Sequence, residues 1–149
     1  MDEARSQPPP AVSDPPLRQV ELPQGLVSYT DEGPADAPPL LALHGVPGSV
    51  RDFRYLAPHL TGHVRLVRLD LPGFGGSPPS DAAVRSLAGR AQVVAALAAL
   101  LGLTRYGVLG HSMGGGTALV LAADQPRRVS FLGLVCSLAL TPHRGLLLP

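Results

Sequence analysis

A chain of 149 residues, 45% hydrophobic and only 15% charged, holds apolar material for one modest domain and lacks the length for two separately folded cores. Twelve arginines, with no lysine, against 11 Asp plus Glu leave a net charge of +1, and the charges form no runs, which excludes the electrostatic footprint of a nucleic-acid or anionic-membrane binder. No apolar run approaches the roughly 18 residues of a membrane span, Met1-Asp2-Glu3 does not open a secretory signal, and the lone Cys136 cannot form an internal disulfide, so a cytoplasmic, soluble protein is expected.

Residues 1–16 carry Pro8-Pro9-Pro10 and Pro15-Pro16 among small polar residues, a composition that cannot bury enough apolar surface to order itself. They are read as a disordered Pro-rich tail, and the folded part is expected over residues 17–149. Residues 18–22 and 26–30 then flank Pro23-Gln24-Gly25, which is turn chemistry for a hairpin. After a second Pro-rich break at residues 33–39, Leu40-Leu41-Ala42-Leu43-His44 is apolar without alternation, as expected of a parallel strand covered on both faces. Ser49 can cap a helix whose apolar positions Val50, Phe53, Ala57 and Leu60 recur at helical spacing, with Asp52 completing an approximate capping box and Gly62 closing the helix. Residues 64–70 form the next strand and lead into the turn Leu71-Pro72-Gly73-Phe74-Gly75-Gly76-Ser77. Leu87, Ala91, Val94, Ala98 and Leu101 then mark a long helix ended by Gly102. A strand at 106–110, a helix at 114–123 stopped before Pro126, and a strong final strand at 129–139 complete the chain. A hairpin followed by alternating strands and helices predicts an α/β fold, an open and mostly parallel sheet with helices on both faces.

Gly110-His111-Ser112-Met113-Gly114 has the form G-x-S-x-G at a predicted strand-to-helix junction. A chain that leaves a strand and enters a helix within a few residues forces the middle serine into a strained conformation that only small neighbours tolerate. Gly110 and Gly114 are those neighbours, and Gly115-Gly116 let the helix approach the sheet, so Ser112 is the candidate nucleophile. Unpaired N–H groups at a helix start carry partial positive charge, which makes the Met113 N–H a candidate donor to the oxyanion formed when Ser112 attacks a carbonyl. The second candidate donor is the Val46 N–H, in His44-Gly45-Val46-Pro47-Gly48 after the third strand.

Taken in order, a strand ending in HGVPG, then RLDLPGFGGS, then YGVLGHSMGGGTALVLAADQPRRV resemble the N-terminal portion of the α/β-hydrolase superfamily, over about residues 17–145. The resemblance implies a family fold of eight strands, with the serine after the fifth, an acid usually after the sixth or seventh and a histidine after the eighth. The match runs through the sixth strand, so the chain is expected to be an α/β-hydrolase core truncated after about that point. A hydrolase of an ester, amide, thioester or carbon–carbon bond is implied, with a small-molecule acyl substrate and no cofactor or metal. The HGxP form is similar to that of epoxide hydrolases and haloalkane dehalogenases, whose nucleophile is Asp; serine at position 112 disfavours both activities.

Other conspicuous residues have simpler readings. His44 is expected to hydrogen-bond its own loop, His111 to be the variable residue beside the serine, and Asp70 to accept backbone N–H bonds that fix its turn. Arg127 and Arg128 suit the negative end of a helix, and Cys136, inside an apolar run, is expected to be a buried thiol. A serine nucleophile needs a base and a carboxylate that orients it. Beyond Ser112 the sequence offers one acid, Asp124, at the far end of a helix that puts it some 15 Å away at about 1.5 Å per residue. The one later histidine, His143, follows the last strand and is weighed only as a surrogate base. The chain is therefore expected to be impaired or inactive as a hydrolase, the alternatives being a non-catalytic binding or assembly module or one half of a split enzyme. Its sixth strand, left at a sheet edge, is expected to be open to self-association or partner pairing.

Overall fold

The computed structural model describes residue 12 and residues 14–138; residues 1–11 of the expected tail and His143 lie outside them. The hairpin forms from β1 (Arg18–Leu22) and β2 (Gly25–Glu32), closed where Gly25, at φ 119°, faces Leu22. The remaining strands are β3 (Pro39–Leu43), β4 (Arg65–Leu69), β5 (Tyr106–His111) and β6 (Val129–Val135), in the sheet order β1-β2-β4-β3-β5-β6. Pairing is antiparallel as far as β2–β4 and parallel beyond it, with Leu41 opposite both Val67 and Val108. The mostly parallel sheet is the architecture expected.

The unbroken apolar runs of β3 and β4 follow from burial on both faces. Leu41, Leu43, Val67 and Leu69 belong to the larger core, shared with Val94 and Leu97 of α3 (Leu87–Leu100) and Ala118 and Leu121 of α4 (Met113–Asp124). Ala42 and Leu66 face the other way, onto Phe53 and Ala57. Each fully buried leucine contributes about 1.5–3 kcal/mol, so the central strands fix the frame on which the loops at their C-terminal ends are hung. Among the described residues the longest helix, α3, has 14 residues, and none is long and apolar enough to cross a membrane.

Three local expectations are corrected. The single helix expected after Ser49 is a 3-10 turn at Val50–Phe53 and a separate short α1 at Ala57–Leu60, because Pro58 has no N–H to continue the ladder; the capping box of Ser49 and Asp52 is present. A capped turn of helix, α2 (Ala82–Arg85), precedes α3, with Asp81 accepting from the Val84 N–H. The final strand stops at Val135, since Cys136 adopts φ 48° and turns the backbone out of the ladder, and Cys136 is consequently exposed rather than buried.

Charged residues inside the sheet supply a further tie. The side chain of Arg68, 1% exposed, donates to Glu32 at 2.7 Å, Thr30 at 3.2 Å, the Val50 carbonyl at 2.9 Å and Asp14 at 3.2 Å. Asp14, in the Pro-rich segment, also pairs with Arg51 at 3.4 Å, so that segment is fastened to β4 and to the 3-10 turn. Arg65 grips Asp31 through two bonds of 2.9 and 2.7 Å, which holds the Asp31 carboxyl below its usual range.

Candidate active site

Ser112 stands between the last residue of β5 and the first of α4 with φ 52° and ψ −116°, a strained conformation for a residue with a side chain. The surroundings over-determine it. Its N–H donates to the Val135 carbonyl at 3.0 Å, and its own carbonyl accepts from Gly115, Gly116 and Leu138 at 3.0, 3.2 and 3.3 Å. The flanking glycines are demanded by close approach: a Cβ on Gly110 would run into the Gly114 carbonyl, and one on Gly114 into the carbonyls of Leu43 and His44. The start of α4 is therefore seated directly on the ends of β3 and β5, as the spacing predicts.

The HGVPG loop reaches the same point. A Cβ on Gly45 would stand 3.0 Å from the Ser112 Cβ and 2.9 Å from His111 Nδ1, so the loop backbone and the serine share one small space. Val46, whose side chain is 56% exposed, follows in that loop, and Met113 is buried at the first position of α4. Among the described residues no acceptor meets either N–H, and a helix's first N–H groups have no partner within the helix. The Met113 N–H thus adjoins Ser112 at the start of α4, and the Val46 N–H follows Gly45 in the loop that meets the serine.

His44 is a support of this loop. Its Nδ1 donates to the Gly45 carbonyl at 2.7 Å and its Nε2 accepts from the Leu71 N–H at 2.9 Å, while its ring meets Phe74 edge-on at 5.4 Å. Both nitrogens are committed, and because Leu71 can only donate, the ring must be neutral; burial pushes its pKa below the usual 6.5 in agreement. Asp70 behaves as expected, accepting from the Val50 N–H at 2.7 Å and the Gly76 N–H at 2.8 Å. Asp124 closes α4, the last of its 12 residues. His111 turns toward a groove of about 470 Å³ that it lines with Asp52, Phe53, Leu56, Leu109 and Val135. No cluster of His, Cys, Asp or Glu that could hold a metal occurs among the described residues.

One residue near the site escaped the sequence reading. Arg90 is only 8% exposed, with its guanidinium carbon 5.9 Å from the centre of the Phe74 ring. The signal was there: position 90 is three residues after Leu87 and four before Val94, on the apolar face of α3.

Residues 38–147 match the family described as alpha/beta hydrolase fold. The 30 kDa subunit of magnesium chelatase from Rhodobacter capsulatus is 42% identical over 96 residues, 64% of this chain and 34% of that protein. Lipase 1 of Psychrobacter immobilis is 37% identical over 110 residues, 73% of this chain and 34% of the lipase. Among solved structures, a membrane phospholipase A characterised as a bacterial virulence factor superimposes with a TM-score of 0.80 at 32% identity, over 87% of this chain and 42% of that one. The chain spans about a third of the length of these two curated relatives, 34% in each case.

Proposed function

The chain belongs to the alpha/beta hydrolase fold family, and from that premise we propose that Ser112 is the nucleophile of a serine hydrolase acting on an ester, amide, thioester or carbon–carbon bond of a small acyl substrate. The observation that carries this reading is the strained backbone of Ser112, which four backbone hydrogen bonds hold at the junction of β5 and α4. In the proposed reaction Ser112 Oγ attacks the carbonyl carbon, the N–H groups of Met113 and Val46 receive the oxyanion, the leaving group departs with a proton, and water releases the acyl group. Loss of the base typically lowers turnover by about a million-fold. His44 and Asp70 are committed to backbone partners, which supports the reading that neither takes the serine proton. The 149-residue chain by itself is therefore proposed to hydrolyse poorly, with base and acid supplied from outside the described residues.

A fluorophosphonate probe with peptide mapping tests the reading. Slow, stoichiometric labelling at Ser112, lost in Ser112→Ala, supports it; labelling elsewhere, or none after prolonged exposure, removes Ser112 as nucleophile. Turnover of an activated ester at an ordinary enzymatic rate, abolished by Ser112→Ala, would overturn the proposed dependence on an external base.

A second reading has its own support. The outer edge of β6 has no strand partner among the described residues, and Phe131 and Val135 there are 58% and 47% exposed. Edge pairing of β6 with a second copy would make the chain an assembly module. Light scattering across a concentration series decides it: a monomer at all concentrations ends the proposal, whereas a dimer dispersed by Phe131→Lys sustains it.

A further inference from the structure

The groove of about 470 Å³ that His111 lines lies between the 3-10 turn and the ends of β5 and β6, and its volume falls in the range of small-molecule sites. Alternation along the strands builds it. Leu109 and His111 of β5 point to one face of the sheet, Val135 of β6 pairs with His111 across the ladder, and Phe53 and Leu56 close the groove from the turn. The helices α3 and α4 pack on the opposite face, with Val108 and Leu134. Leu56 and Val135 are 41% and 47% exposed, so the walls are apolar and reachable from solvent. The groove ends beside the serine: the same point over Gly45 lies 2.9 Å from His111 Nδ1 and 3.0 Å from the Ser112 Cβ. The one carboxylate in the lining, Asp52, is held by the Ser49 N–H at 3.3 Å, and no Lys or Arg lines the groove to receive an anion.

We propose that this groove holds the acyl chain of the substrate while its carbonyl carbon meets Ser112, so that the preferred acyl group is an uncharged, straight chain of medium length. The inference rests on the reading of Ser112 as nucleophile and adds to it a chain-binding surface. At roughly 30 Å³ for a water-sized group, half of the groove accommodates a chain of about six to eight carbons. Each methylene that leaves water for an apolar wall strengthens binding by about two- to fourfold in an open groove. A chain ending in a carboxylate would meet Asp52 in place of a cation and lose that gain. Leu56 and Val135, on opposite walls, are the residues that set the preference.

The test is the labelling rate of Ser112 in the 149-residue chain by a series of alkyl fluorophosphonates, from methyl to octyl on phosphorus, where the alkyl group stands in for the acyl chain. In each reaction the Oγ–P bond forms, the P–F bond breaks, fluoride leaves and the hydroxyl proton passes to solvent. Rates are divided by those of the same reagents with hydroxide in free solution, which removes differences in intrinsic reactivity. The corrected rate is expected to rise by about a hundredfold from methyl to hexyl and to level off near octyl, and a six-carbon chain ending in a carboxylate should lose most of that rise. Leu56→Asp puts a charge on one wall at the N-cap position of α1, where aspartate is favoured, and should cut the hexyl-to-methyl ratio to below about tenfold. Val135→Ser, on the other wall, should lower the same ratio and serves as the measurement if Leu56→Asp folds poorly. Labelling of Ser112 at a corrected rate independent of chain length, or an undiminished ratio in the folded variants, would overturn the proposal while leaving the nucleophile in place. Absence of labelling at Ser112 by every member of the series would remove the nucleophile, and the chain-binding role with it.

Discussion

Substituting Gly114 by alanine tests whether the seating of α4 on the sheet sets both stability and the reactivity of Ser112. The added Cβ would overlap the Leu43 carbonyl oxygen and stand 2.5 Å from that of His44. Unstrained carbon–oxygen contacts begin near 3.3 Å, so the helix start must withdraw by about 0.8 Å from the His44 carbonyl and by more from that of Leu43, at the end of β3. Overpacking of this kind costs about 1–3 kcal/mol, offset by the roughly 0.8–1 kcal/mol by which alanine outperforms glycine within a helix. The net is a loss of about 1 kcal/mol, or roughly 0.5 M in the urea midpoint at the m-values of small domains. The same withdrawal carries the Met113 N–H away from its place beside Ser112, and a misplacement of about 1 Å at a reacting centre can cost on the order of a hundredfold in rate. The urea midpoint and the fluorophosphonate labelling rate are the two assays. A variant with the wild-type midpoint that also labels Ser112 at the wild-type rate would refute the argument that contact at Gly114 fixes the site.

Three further outcomes follow from the buried polar groups. Protonation of His44 would break its bond from the Leu71 N–H, and because its folded pKa is depressed, stability should be level above pH 6.5 and fall as pH drops below it, by up to about 1.4 kcal/mol per pH unit; urea melts between pH 5 and 8 measure this, and His44→Asn should flatten that segment. Asp31, held below the ordinary carboxylate value of 3.8 by its hydrogen bonds to Arg65, contributes stability that is complete above that value and lost as pH falls through the depressed pKa; Asp31→Asn should remove that part of the acid transition. Arg68→Met leaves Glu32 and Asp14 facing each other without their shared cation and should cost about 2–4 kcal/mol by urea denaturation, with Thr30→Val, which removes a neutral partner, costing far less.

The parts of the fold legible in the sequence are those set by neighbours a few residues apart. The elbow at Ser112 is of this kind, since the glycines that accommodate it lie two positions to either side. The separation of α1 from the 3-10 turn was equally local, but apolar spacing from Val50 to Leu60 masked the missing donor of Pro58. The end of β6 was not legible, because it depends on Cys136 turning out of the ladder and on Leu138 reaching back to the Ser112 carbonyl, 26 positions earlier. The partners of Arg68, 36 to 54 positions distant in Glu32, Thr30 and Asp14, are likewise decided by strand order. At the site, Ser112 and the HGVPG loop could each be found locally; that a Cβ on Gly45 would touch the Ser112 Cβ is a fact of the sheet.

The convergence of three N–H groups on the carbonyl of Ser112 has a kinetic corollary. Gly115 and Gly116 belong to α4, while Leu138 belongs to the segment beyond β6, yet all three rest on one oxygen. An excursion that swings this peptide group aside must release the first turn of the helix and the chain after the strand in one event. Amide hydrogens at Gly115, Gly116 and Leu138 would then exchange with deuterium at a common opening free energy, as a single cooperative unit straddling two elements of secondary structure. The serine would be as motionless as the least yielding of those contacts, and any ligand that tightened one would slow exchange at the other two.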